Sequence, residues 1–121
     1  QIYVKPLLEL LDSAIDVHGM AHITGGGLME NISRVIPEGL AISIDVSSWD
    51  RLDIFKWLQE KGNLSDNEML RTFNCGIGMA LIINKDDSNS CQQLINDKGL
   101  KCWEIGSVRK SQSDKDDVEF V

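Results

Sequence analysis

Apolar residues recur along the chain at two periods, and the switches between them mark its elements. Leu7, Leu10, Leu11, Ala14 and Ile15 keep helical spacing, with Pro6 in the first turn, where its missing N–H costs nothing. His18 to Thr24 reads as a loop running into a short strand that three glycines end. Leu28, Met29, Ile32, Val35 and Ile36 return to helical spacing, and Pro37 stops that helix. Leu40, Ile42, Ile44 and Val46 alternate with Ala41, Ser43 and Asp45, the period of a half-buried strand. Ser48 is a candidate cap for a helix that carries Ile54, Phe55 and Leu58 inward and ends at Gly62. Ser65 and Glu68 have capping-box spacing for another, short helix.

The second half continues in the same way. Residues 77–83, IGMALII, are almost wholly apolar, as in a central strand covered on both faces. Ser88 to Lys98 predicts a helix with Cys91, Leu94 and Ile95 inward and Gly99 as its stop. Trp103 and Ile105 alternate with Glu104 in a further strand. RKSQSDKDD, with its acidic turn at 111–117, reads as a solvated loop, and VEFV as a last, edge strand. The order is helix, strand, helix, strand, two helices, strand, helix, strand, strand. That predicts one α+β domain over 1–121, a mixed, largely antiparallel sheet with helices packed on it.

Composition narrows the partners. The chain has 121 residues, enough for one core, and a formal net charge of −7. So acidic a surface repels phosphate backbones, so no nucleic acid is expected. A phosphorylated small molecule would have to be held locally, by backbone N–H groups and a few Arg or Lys. No apolar run is long enough to span a bilayer, and no signal peptide is expected. Cys75, Cys91 and Cys102 are odd in number and widely spaced, which argues against a disulfide framework or a zinc site and fits a reduced, cytosolic compartment. A first residue of Gln1 suggests a piece of something longer.

Two stretches concentrate unusual chemistry. In AHITGGGLMENISRVIP, residues 21–37, a strand, a glycine run and a helix start make an anion-binding geometry. Thr24 adds a hydroxyl, and Arg34 sits about a turn into the helix. A tight turn needing positive φ, with no ligand, explains the same glycines and is the simpler reading from pattern alone. Neither G-x-G-x-x-G nor the Walker pattern is present. His18 and His22 do not make a metal pair: in a strand their rings lie about 13 Å apart, at roughly 3.3 Å per residue. In RTFNCGIGM, residues 71–79, Arg71, Thr72 and Asn74 precede Gly76 and Gly78, which bare one face of a strand entrance to a ligand or another backbone. A bulge or close strand packing explains those glycines too, and is the reading that pattern alone favours. Cys75 has nothing beside it in sequence to activate a thiol. Trp49, Trp57 and Trp103 read as core or interface anchors.

HITGGGLMENISRVIP, SSW, FKWLQEKGNLSDNEMLRTFNCGIGM and CWEIGSV together resemble the C-terminal half of the phosphoribosylformylglycinamidine cyclo-ligases, or AIR synthetases. The resemblance runs over nearly the whole chain. It implies an ATP-dependent ligase that closes an imidazole ring in purine biosynthesis: the formamide oxygen of a small-molecule purine precursor is phosphorylated, an amidine nitrogen attacks, and phosphate leaves. It also implies a partly ferredoxin-like fold in a cytoplasmic homodimer. A preceding N-terminal domain would hold ATP and Mg²⁺, so that this segment alone binds no metal or cofactor and is inactive. In animals the same segment is similar to the middle of a trifunctional purine enzyme.

By that resemblance, His22 stands near the reacting amide or phosphoryl group as the catalytic residue. Thr24, Gly25, Gly26, Gly27, Asn31 and Arg34 bind substrate or phosphate in the first motif, and Arg71, Thr72, Asn74, Gly76 and Gly78, with Phe73, match the second. Ser33 departs from the Pro frequent in the family. Two alternatives stay open. One is a sister enzyme such as formylglycinamidine ribonucleotide synthetase, and the other is a binding or assembly domain that has lost the reaction. The intact HITGGG and RTFNCG favour the enzyme over the last, because a decayed site loses its His or a Gly.

Overall fold

A computed structural model describes residues 1–112 and 118–121. The chain runs α1 (Val4–Leu11), β1 (Val17–His22), α2 (Gly27–Ser33), β2 (Leu40–Ile44), α3 (Asp53–Gly62), α4 (Asp66–Thr72), β3 (Met79–Ile83), α5 (Ser88–Asp97), β4 (Gly106–Lys110) and β5 (Val118–Phe120), with a 3₁₀ turn at Lys85–Asp87. This is the element order read from the periodicity, and the class is α+β. The strands form two sheets, however: β1 pairs with β3, and β2 lies between β4 and β5. In the second sheet β2 runs antiparallel to β4, with Ile44 opposite Gly106, and parallel to β5, with Ile42 opposite Val118.

The chain divides into two compact units. The first comprises Gln1–Met20 and Leu81–Glu104. Its core is Leu10, Cys91 and Ile95, with Leu7, Ile15, Val17, Leu81, Ile83, Leu94, Leu100 and Cys102 packed around them. Lys98 pairs with Glu9 between α5 and α1. Ser13 ends α1: its hydroxyl donates to the Leu10 carbonyl and accepts from the Ile15 N–H. The helix therefore stops before Ala14 and Ile15, which the periodicity placed in it. Gly99, at φ +78°, closes α5 as expected.

The second unit comprises Ala21–Ala80 and Ile105–Val121. It buries Leu28, Ile32, Ile44, Met69, Leu70 and Trp49, and α2 packs on α4. Helix α2 ends at Ser33 rather than Ile36, because Val35 and Ile36 donate three residues back and Pro37 restricts its neighbour. Ser48 does not cap α3. Its hydroxyl donates to the Asp45 carbonyl at 2.7 Å, and α3 starts after an extended Leu52. Asn63, at φ +48°, ends that helix, and Ile54 lies on its exposed side rather than inward.

Three further expectations change. Trp103 lies outside any strand: pairing with β2 begins where the Asp45 N–H donates to Ile105, and β2 offers no partner residue before that. Arg109 and Lys110 belong to β4 instead of a loop, and residues 113–117 lie outside those described. Strand β3 is half-buried along its whole length, since among the described residues its sheet has two strands.

The expected capping box is present. The Ser65 hydroxyl accepts from the Glu68 N–H at 3.3 Å, and the Ser65 N–H donates to the Glu68 carboxylate at 2.8 Å. The carboxylate also accepts from the Ser65 hydroxyl at 2.7 Å, and its two bonds from Ser65, the backbone one first, hold the Glu68 carboxyl below its ordinary value. A depressed carboxyl stabilises the fold above its unfolded value, and that help fades as pH falls through the folded one. Ser65→Ala is expected to cost about 1 kcal/mol at neutral pH, with the cost shrinking as acid protonates Glu68. Urea midpoints of parent and variant at neutral and acid pH check both. Gly106 is exposed, yet a Cβ there would lie against the Ser43 carbonyl and 3.0 Å from the Ile44 Cα. Gly106→Ala is therefore expected to destabilise by about 1–3 kcal/mol, well beyond an ordinary surface change, in the same urea measurement.

Candidate functional site

Both glycine-containing stretches belong to the second unit, and the fold brings them together. Just past β1, the buried Ile23 donates its N–H to the Gly78 carbonyl at 3.0 Å. This sets the loop after His22 beside the entrance of β3. Next to it, the first turn of α2 meets the end of α4. A Cβ on Gly27 would strike the Leu70 carbonyl and lie 2.8 Å from the Arg71 carbonyl carbon. Only a residue without a side chain allows so close a backbone approach, and Gly27 also takes φ +61°.

The three glycines therefore have separate tasks. Gly26 caps α2 at φ +94°, and its missing Cβ leaves room for the Glu30 carboxylate. Gly25 is exposed, has no left-handed φ, and would have nothing within 4 Å of an added Cβ. It is the one glycine of the run that faces open space. The Gly27 N–H closes a turn onto the Thr24 carbonyl at 3.2 Å.

Asn31 holds this loop from inside. It is a buried polar residue, and its amide nitrogen donates to the carbonyls of Gly27 at 2.7 Å, Gly25 at 3.2 Å and Thr24 at 3.4 Å. The Thr24 hydroxyl donates to its oxygen at 3.4 Å. Its carboxamide is thus engaged with the loop that displays Thr24 and Gly25.

Around this loop, His22, Thr24, Arg71 and Thr72 are exposed, and Phe73, Asn74, Gly76 and Gly78 are half-buried. The Phe73 ring packs against Phe55 with centroids 6.3 Å apart. Arg34 is exposed and pairs with Glu30 at 3.5 Å, one turn along α2. That pairing offsets a carboxylate lying close to Gly26. His18 hydrogen-bonds Asn84 at 3.2 Å in the first unit. Among the described residues, no group of three His, Cys, Asp or Glu side chains could hold a metal ion. The first unit has its own shallow groove along α1 and α5, lined by Glu9, Asn89, Gln93, Leu94 and Lys98, and it contains none of these motif residues.

The second stretch turns at Asn74–Ile77. The Ile77 N–H donates to the Asn74 carbonyl at 2.9 Å and the Gly76 N–H to the Asn74 side chain at 3.0 Å. Cys75 and Gly76 stand at φ +50° and +100°, the left-handed pair of a primed turn. Cys75 is fully buried, and burial is the main cause that pushes its thiol up, which disfavours the reactive thiolate. Its Sγ donates instead to the Met69 carbonyl at 3.5 Å. Trp49 is buried, as an expected core anchor, but the sequence did not show its partner: the indole N–H donates to the Cys75 carbonyl at 3.0 Å. The one sequence signal was its place in the SSW tripeptide.

Over 120 residues the chain is 50% identical to the phosphoribosylformylglycinamidine cyclo-ligase of Nitrosococcus oceani, covering 99% of this chain and 33% of that one. It is 53% identical over 109 residues to the protein of that name from Methylobacillus flagellatus, covering 90% and 31%. The chain thus spans about a third of the length of these curated relatives. The crystal structure of E. coli HypE, a hydrogenase maturation protein, shares the fold with a TM-score of 0.72 at 17% identity, over 98% of this chain and 35% of that one. No described helix is long and apolar enough to cross a membrane. The family model of the AIR synthase related protein C-terminal domain matches residues 1–119, and the chain belongs to that family.

Proposed function

We propose that this chain is the C-terminal part of a phosphoribosylformylglycinamidine cyclo-ligase, a cytoplasmic, homodimeric enzyme that closes the imidazole ring of 5-aminoimidazole ribonucleotide in purine biosynthesis. The observation that carries this reading is the 50% identity, across 99% of the chain, to a relative of that name. The geometry supports it, because both motifs of the resemblance meet around one open loop at Gly25.

In this reading ATP, held with Mg²⁺ by the N-terminal domain, supplies the phosphoryl group that activates the formamide oxygen. This chain supplies the other wall. His22, exposed at the end of β1, donates a hydrogen bond or moves a proton at the reacting amide. The Thr24 hydroxyl and the backbone at Gly25 face the substrate, with Arg71 and Thr72 at the end of α4 for its phosphate. Asn31 keeps the loop in shape by donating to three of its carbonyls. An arrangement fixed before substrate arrives needs little reorganisation during reaction, which is how oriented donors lower a barrier.

The reading is tested by joining the chain to the N-terminal two thirds of the Nitrosococcus oceani relative and measuring ADP release that depends on formylglycinamidine ribonucleotide. Turnover by the joined protein, and none by the chain alone, is expected. A folded joined protein without turnover overturns the reading, and release by the chain alone overturns the division of labour. His22→Gln in the active protein is expected to lower kcat by roughly 10² or more, at unchanged melting temperature. Gly25→Val separates ligand from fold. Its Cβ enters open space without left-handed strain, so thermal stability should hold while turnover is lost. Parent-like turnover in Gly25→Val would show that nothing approaches this loop.

A further inference from the structure

We infer that Trp49 is a positioning residue: it clamps the Asn74–Ile77 turn and thereby sets the affinity of the proposed site for the formylglycinamidine ribonucleotide. The second half of this inference rests on the functional reading above; the clamp itself does not.

Trp49 follows β2 and precedes α3, far from the turn in sequence, yet it is 5% exposed and its one polar atom is aimed at the turn's Cys75 carbonyl, 3.0 Å away. A buried indole N–H needs such a partner, and the carbonyl would be left without its donor if the nitrogen were removed. The turn needs external support. Cys75 carries a Cβ at φ +50°, a conformation that only Gly and a few polar residues take readily. The bonds from Ile77 and Gly76 to Asn74 close the turn on itself and do not anchor it. Two side-chain bonds tie Cys75 to other parts of the unit, the weak thiol donation to Met69 and the indole bond. The residue after Trp49 backs the same turn, since the Asp50 carbonyl lies 3.9 Å from the place of a Gly76 Cβ.

The turn leads directly into Gly78, whose carbonyl receives the Ile23 N–H beside His22. A turn free to relax would therefore loosen Asn74 and Gly76 and also the seat of the His22 loop. Substrate would bind less tightly, whereas the separate ATP contacts of the N-terminal domain would be untouched. The loss of one hydrogen bond to the turn corresponds to about a five- to tenfold change in a local equilibrium.

The test uses the full-length protein with Trp49→Phe. In parallel, 3-benzothienylalanine at position 49 keeps the bicyclic shape and replaces the N–H by sulfur, so the question survives if Phe does not fold. Amide hydrogen exchange at Gly76 and Ile77 is expected to quicken about five- to tenfold. KM for the ribonucleotide should rise by a similar factor, with KM for ATP and kcat within about twofold. Unchanged exchange at the turn overturns the inference. So does a fall in kcat with both KM values unchanged, the mark of a merely structural residue. If the parent turns nothing over, the functional reading fails and the exchange measurement alone decides the clamp: faster exchange upholds it, and parent-like exchange overturns it.

Discussion

The second unit depends on a backbone-to-backbone contact. Where Gly27 begins α2, it lies so close to Leu70 and Arg71 at the end of α4 that no side chain fits between them. Helices usually meet through interdigitating side chains at 8–10 Å between axes. Here the ends of two short helices touch without any. The contact draws the HITGGG loop and the RTFNCG turn into one place, and the buried side chains of Leu28, Ile32, Met69 and Leu70 fill the space around it. Any residue larger than glycine would separate the two motifs, whatever its charge or polarity.

An approach that close leaves polar backbone atoms in need of partners. Asn31 meets that need on one side by donating to three carbonyls of the glycine loop, and Trp49 meets it on the other through the Cys75 carbonyl. Among the described residues no buried side-chain nitrogen or oxygen is left without a hydrogen bond. Net contributions of about 1 kcal/mol per bond are modest, but an unmade one costs more than a made one gains. Polar staples of this kind therefore specify a loop conformation more than they stabilise a fold. The loops they hold present exposed groups: His22, Thr24, Gly25, Arg71 and Thr72.

The first unit follows a plainer plan. Leu10, Cys91 and Ile95 are packed like any small core, and its thiols are hydrophobes first. Burial pushes Cys102 up to about 11 and raises Cys91 as well, which leaves both weak as nucleophiles. Helix α1 is apolar on more than its inner side, since Val4, Leu8 and Leu11 are exposed along one stripe. In the second unit, α3 buries no residue fully and exposes Ile54 and Trp57.

Local physics made much of this legible in the sequence. The order of ten elements follows from periodicity and stop signals, because each helix or strand here declares itself within about ten residues. The Ser65 capping box and the Gly99 stop needed no tertiary information, since the groups that satisfy those helix ends lie within one turn. The two motifs could be recognised as unusual for the same reason. Partnership, by contrast, was decided only in three dimensions. Nothing near Trp103 in sequence reveals that β2 has no residue to pair with it. Ser48 has the chemistry of a cap and uses it on Asp45 instead. Ile54 keeps helical spacing yet faces outward, because burial depends on what packs against a helix and not on the helix alone. The glycine run looked like one feature and is three: a cap at Gly26, a close approach at Gly27 and an open face at Gly25. Only the surroundings of each glycine distinguish them: Glu30 one turn on for Gly26, Leu70 and Arg71 about forty positions away for Gly27, and open space for Gly25.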